Sequence, residues 1–118
     1  MGAPVAFFEV ISPDAARAQH FYADLFGWQA DGDPAMGGYA LVDTGNGDGS
    51  VGGGIGAADD TDPPGVRIYM RVDDLEEYLE KAEKLGGTRV VPPTDLPGGY
   101  GQIAVFADPD GNRVGLWK

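Results

Sequence analysis

Few of the side chains able to do acid–base or binding chemistry stand where they suggest work. Glu9 is the lone charge in the apolar, β-rich run from Pro4 to Ile11. Arg67, Tyr69 and Arg71 alternate with Val66, Ile68, Met70 and Val72, so one face of a strand is oily while the other carries two guanidinium groups and a phenol. A carboxylate in such surroundings can orient a ligand or take a proton, and a guanidinium binds acidic or carbonyl groups. His20 is the only histidine. Helical periodicity sets it beside Arg17 and Asp24, facing water, and a lone imidazole without converging partners is a poor metal site. With no cysteine there is no thiolate nucleophile, thiolate metal ligand or disulfide. The glycine-rich VGGGIG follows no strand-to-helix pattern, so it does not read as a phosphate loop. It reads as a strand that another backbone, or a ligand, approaches closely.

A small fold must position these groups. The 118 residues suit one compact domain, or two half-size units sharing a core, and 42% hydrophobic content argues against disorder. Eight Lys/Arg against nineteen Asp/Glu give a net charge of −11, with no basic stripe to neutralise phosphates. Nucleic acid and anionic membrane surfaces are therefore not expected partners. No apolar run approaches the roughly 18 residues of a transmembrane helix. MGAPVAFFEV lacks the basic start and long apolar core of a signal peptide, so a cytoplasmic protein is expected.

Ser12 reads as an N-cap, with Pro13 at the first helical position and Asp14 near the positive helix end. Ala15, Ala18, Tyr22 and Leu25 share one face of that helix, which Gly27 ends. Strands are expected over 39–43, 51–55 and 66–72, with 57–65 as a surface connector. Asp73 reads as the cap of a second helix, boxed by Glu76, whose buried stripe is Leu75, Leu79, Ala82 and Leu85 before Gly86-Gly87. Strands over 88–91, 100–107 and 113–117 close the chain, and Pro92, Pro93 and Pro97 keep the loop between the first two out of any central ladder.

Strand, helix and strands thus occur twice. A shift of about sixty sets Asp14 on Asp74, Leu25 on Leu85 and Gly27 on Gly87, and a shift of 62 sets Asp48-Gly49 on Asp110-Gly111 and Gly53 on Gly115. The matches fall at caps and turns, where geometry dictates residue type. Two βαβββ units (1–59 and 60–118), the segment HFYADLFGWQ and the ending FADPDGNRVGLW together resemble the glyoxalase/bleomycin-resistance family of the vicinal oxygen chelate superfamily. The resemblance implies a single α+β domain in which two βαβββ units form a curled, partly open, barrel-like mixed sheet with helices on the outer face. It also implies a homodimer. Enzymatic members hold a divalent metal through a residue early in each unit's first strand and one in each last strand. Those positions are here Phe7, Gly53, Arg67 and Gly115, none of which binds a metal in a normal protonation state. No metal and no other cofactor is expected.

If position 7 points into the cavity, so do Val5 and Glu9, while Phe8 and Val10 pack against helices. Arg67, Tyr69 and Arg71 would point inward in the second unit. Tyr100, Gln102, Ala104 and Phe106 share one strand face; Arg113, Gly115 and Trp117 share another. The glycines at positions 53 and 115 would leave space for a ligand. Trp28 and Tyr39, near the expected rim, read either as core packing or as stacking platforms, and Gly98-Gly99 either as a turn or as a lid hinge. Glu9 and Arg67 have two readings: a polar anchor, or a buried ion pair fixing the wall. Phe7, Glu9, Trp28, Tyr39, Arg67, Tyr69, Arg71, Tyr100, Gln102 and Trp117 are the candidate ligand-binding residues. The expected function is metal-free binding of an aromatic or acidic small molecule, to sequester or sense it. The alternatives are a divergent lyase, isomerase or dioxygenase using Glu9 as base or a non-standard metal site, and an interaction module with a vestigial cavity.

Overall fold

A computed structural model describes residues 2–32, 38–45 and 50–118. The elements run β1 (Val5–Ser12), α1 (Ala15–Phe26), β2 (Gln29–Gly32), β3 (Ala40–Asp43), β4 (Gly53–Ala57), β5 (Gly65–Arg71), α2 (Leu75–Lys84), β6 (Thr88–Asp95), β7 (Gln102–Ala107) and β8 (Arg113–Trp117). Contacts group them into two compact units, Phe7–Val66 and Arg67–Lys118, the latter joined by the N-terminal residues through Ala6. Among the described residues no helix is long and apolar enough to cross a membrane.

Each unit is a mixed four-stranded sheet with one helix, so the fold is α+β. In the first, β1 pairs parallel with β4, and β3 joins β4 and β2 antiparallel. In the second, β5 pairs parallel with β8, and β7 joins β8 and β6 antiparallel. The strand β2 has no counterpart in the sequence reading. Its residues QADG are short and polar, and only pairing of Gln29 with Asp43 through Gly32 with Ala40 makes them a strand.

Both helix caps lie one or two residues beyond the positions expected. Asp14, extended at φ −129°, caps α1 by accepting from the Arg17 N–H at 3.0 Å, which leaves Pro13 outside the helix and Ser12 at the end of β1. Asp74, extended at φ −144°, caps α2 by accepting from the Glu77 N–H at 3.0 Å, so Asp73 and Glu76 form no capping box. Gly27 closes α1 in the left-handed region at φ 71°, its N–H bonded to the Ala23 carbonyl.

The first unit buries Ala40, Val42 and Ile55. Beside them Phe8, Tyr22, Phe26 and Trp28 form an aromatic cluster with ring centroids 5.1–6.2 Å apart. In the second, Val72, Leu75, Leu79, Ala104 and Leu116 make the core, with Ala3, Met70 and Phe106 against it. Leu25 and Leu85, expected in the buried stripes, are 58% and 72% exposed. Leu85 follows the last residue of α2 and leaves its helical face. β6 runs on to Asp95 through Pro92 and Pro93, which the sequence reading left in a loop. The prolines are tolerated because β6 pairs only with β7 among the described residues and its register shifts twice.

Leu79 is wholly buried, so Leu79→Ala should cost about 2–5 kcal/mol in urea denaturation. Leu85→Ala should stay within about 0.5 kcal/mol, and equal effects would contradict this core. Arg89 donates to both Glu76 and Glu83, and its hydrogen bond holds the Glu76 carboxyl below the ordinary glutamate value. A depressed folded-state pKa contributes stability above the unfolded carboxyl's pKa and loses it as pH falls through the folded value. Carbon-detected NMR titration should show Glu76 as the more acidic in the wild type, moving up in Arg89→Ala; an unmoved midpoint would exclude this pairing.

Candidate functional site

In β1 the side chains alternate. Phe8 falls on the α1 face, in register with Gly53, and its ring covers that glycine so closely that a Cβ would collide with it. Glu9 falls on the opposite face, in register with Gly54, and is only 8% exposed. Such a carboxylate is costly to bury without partners. The Tyr39 hydroxyl donates to Glu9 Oε2 at 2.6 Å, a short, charge-assisted geometry. The Tyr39 ring reaches Glu9 by lying across β4. A Cβ on Gly54 would overlap the ring and hydroxyl, and one on Gly56 would come within 2.6 Å of the ring. Two glycines at alternate positions therefore make the bed for one phenol, a side chain of this chain where VGGGIG is expected to admit another backbone or a ligand. The Glu9–Tyr39 bond itself was not anticipated. Its available signal was glycine at every second position of a strand preceded by a lone tyrosine.

The second unit repeats the bed with a different occupant. Tyr69 of β5 is in register with Gly115 of β8, is 5% exposed, and its own ring covers that glycine. Glu9 and Tyr69 are sixty positions apart, so the counterpart of Gly115 in β4 is Gly54. Gly53, paired with Gly115 by sequence shift, lies on the helix face. The spaces expected at positions 53 and 115 are filled by Phe8 and Tyr69. Arg71, in register with Trp117, places its guanidinium carbon 4.5 Å from the Trp117 ring centroid. Trp117 is fixed by its indole N–H, which donates to the Tyr100 carbonyl at 2.9 Å.

The ten candidate residues thus separate. Phe7, half-buried, shares the β1 face of Glu9, over which Tyr39 lies. Arg67, half-buried, shares a β5 face with Tyr69 and Arg71, beside Trp117. Trp28 packs on Phe8 and Tyr22, on the opposite face of the first sheet from Glu9. Gln102 lies on the β7 face of Ala104, which packs in the α2 core, and its amide bonds Asp95 at 2.7 Å. Tyr100 follows a turn at Pro97–Gly99, with Gly98 and Gly99 at φ 75° and 76°, closed by the Leu96 N–H on the Gly101 carbonyl. His20 is exposed on α1.

A divalent ion needs several oxygen or imidazole ligands converging on it. The positions where the family resemblance would place them offer a ring, a guanidinium and two glycines. Among the described residues no three His, Cys, Asp or Glu converge. The described residues at these positions do not fit such a metal.

Two βαβββ units, each with its first and last strands in parallel register, define a paired-repeat α+β domain. The chain matches the family model described as Glyoxalase/Bleomycin resistance protein/Dioxygenase superfamily over residues 5–116, and belongs to that family. It is 34% identical over 135 aligned residues to the anthracycline biosynthesis protein DnrV of Streptomyces peucetius, covering 99% of this chain and 47% of DnrV. A glyoxylase-like domain-containing protein of Didymella fabae is 27% identical, over 92% of this chain and 88% of its own. The chain spans less than half the length of DnrV and of DauV of Streptomyces sp. strain C5, which is 33% identical. In fold it is similar to methylmalonyl-CoA epimerase from Mycobacterium tuberculosis, with TM-score 0.65 and 18% identity over 96% of this chain and 85% of the other.

If the glycine bed positions Tyr39, Gly54→Ala must displace the phenol. NMR of the alanine variant should show the Tyr39 ring resonances shifted from their wild-type positions. Unchanged resonances in Gly54→Ala would exclude this role.

Proposed function

We propose that this domain binds a small aromatic or acidic organic molecule through the sheet faces turned away from its helices, and sequesters or senses it without a metal. The observation that carries this reading is the Glu9–Tyr39 pair: a carboxylate 8% exposed and bonded at 2.6 Å by a phenol set on a glycine bed. The bond fixes the direction of one carboxylate oxygen, which is what a polar anchor in an otherwise apolar site requires. In the second unit, Arg67, Tyr69, Arg71 and Trp117 add guanidinium and aromatic groups on one face, suited to acidic and planar ligands. Relatives named for anthracycline biosynthesis lend support to an aromatic ligand class. The side chains at positions 7, 53, 67 and 115, which the family resemblance would make metal ligands, weigh against metal-dependent turnover through that set. A second reading draws on the same pair: a buried carboxylate oriented by a phenol is also the equipment of a general base, and Glu9 would then act in a metal-independent lyase or isomerase.

A thermal-shift screen of aromatic and acidic metabolites tests the binding reading. A ligand at a hundred times its Kd stabilises by about 2.7 kcal/mol, so at least one compound should raise Tm measurably. Glu9→Gln should keep a neutral aromatic binder within a few-fold of wild-type affinity, and chromatography should recover that binder unchanged from both proteins. Failure of every compound to raise Tm would end the binding reading. Consumption of a binder by wild type but not by Glu9→Gln would replace it with the enzymatic one.

A further inference from the structure

We propose a separate site in the second unit, a groove beside the end of β5 that takes an organic monocarboxylate with an apolar body, with Arg71 as its anion anchor. It deepens the function proposed above, resting on that reading's use of Arg71 and Trp117 for an acidic ligand, and shares no residue with the Glu9–Tyr39 pair. The groove has a volume of about 480 Å3, within the range of small-molecule sites, about 300–1,000 Å3. Ala3, Pro4 and Tyr78 supply apolar wall, while Arg71, Lys118 and Asp73 supply the charge.

Arg71 is the unusual member. Nineteen acids face eight bases in this chain, and Arg89 shows the common outcome, bonded to both Glu76 and Glu83. Among the described residues the Arg71 guanidinium makes no hydrogen bond and no ion pair, and lies over the Trp117 ring, 4.5 Å from its centroid. Asp73, two residues along and on the same groove, does not neutralise it. The stack removes much of the freedom of a long side chain before any ligand arrives, and Trp117 is itself held by the Tyr100 carbonyl. The Arg71 backbone is tied to the wall by its N–H on the Pro4 carbonyl at 2.9 Å. A pre-positioned planar fork with unused donors suits a carboxylate, which it can bond in two places. Asp73 on the same groove favours a monoanion at Arg71 over a dianion, since it would repel the second charge. The apolar wall calls for a hydrocarbon body rather than a free inorganic ion.

The test titrates 15N-labelled protein with hexanoate, and with hexanol and hexyl phosphate as neutral and dianionic counterparts. The Trp117 indole N–H, assigned by its loss in Trp117→Phe, and the backbone amides of Arg71 to Asp73 are the readout. Hexanoate should shift them saturably, hexanol should not, and hexyl phosphate should bind more weakly. Arg71→Gln should weaken hexanoate at least tenfold with the remaining spectrum unchanged, whereas Tyr39→Phe should bind it as wild type does. Absence of a hexanoate shift, equal affinity in Arg71→Gln, an equal response to hexanol, or tighter binding of hexyl phosphate would each overturn the proposal. Because Tyr39→Phe reports on the other site, failure here leaves the Glu9 reading standing.

Discussion

The parallel pairing of the first and last strand in each unit sets a glycine beside Glu9 in one and Tyr69 in the other, and the geometry around both follows from the missing Cβ. Glu9 lies in register with Gly54 and Tyr69 with Gly115. An aromatic ring can lie flat on backbone only where no side chain stands, and both rings do so at distances a Cβ would not permit. Glycine in a strand costs about 0.5–1 kcal/mol relative to alanine. Burying most of a tyrosine ring offsets that and more, through area and contact. The exchange is local, and it makes the bed a stable part of the sheet rather than a defect.

One device has two outcomes. In the second unit the strand residue is itself the ring: Tyr69 closes over Gly115 and the position becomes core, 5% exposed. In the first unit the ring comes from Tyr39, thirty residues away in sequence, and the strand position is left to a carboxylate. The same backbone geometry therefore gives a buried aromatic ring in one half and an oriented acid in the other. Duplicated units with duplicated beds can diverge in this way by exchanging one side chain, because the space is fixed by glycine and not by the group that fills it.

What could be read beforehand divides on physical lines. The alternation over 66–72 was legible because large and charged side chains mark both faces, and Arg67, Tyr69 and Arg71 do share one. The face of β4 was not. VGGGIG has almost no side chains to mark its sides, and a slip of one residue inverts a strand, so Gly53 was taken for the position that Gly54 holds. The caps slipped because Ser12, Asp14, Asp73 and Asp74 offer competing candidates within a few residues, and only the extended backbone at Asp14 and Asp74 decides between them. Those two aspartates are sixty apart, so the internal repeat was more accurate about the caps than the local motifs were. β2 lacked any pattern of its own, and its pairing with β3 creates it.

The acid excess has a structural explanation that sharpens the site. Asp14 and Asp74 cap helices, and Glu76 and Glu83 bind Arg89. Asp59 accepts from the Thr61 hydroxyl and from the Thr61 and Asp62 N–H groups. Asp108 accepts from the Asn112 side chain and from the Asp110 and Asn112 N–H groups, folding DPDGN into a turn with Gly111 at φ 90°. These bonds hold the Asp59 and Asp108 carboxyls below the ordinary aspartate value. The DPDGN motif is thus a turn-building device, with Asp108 committed to backbone and to the Asn112 side chain. With so many acids committed to caps, turns and one arginine, Glu9 stands apart as a buried acid bonded by a side-chain phenol from another segment. Fold signature and oriented acid occupy different residues here, which is why recognising the first does not by itself disclose what the second does.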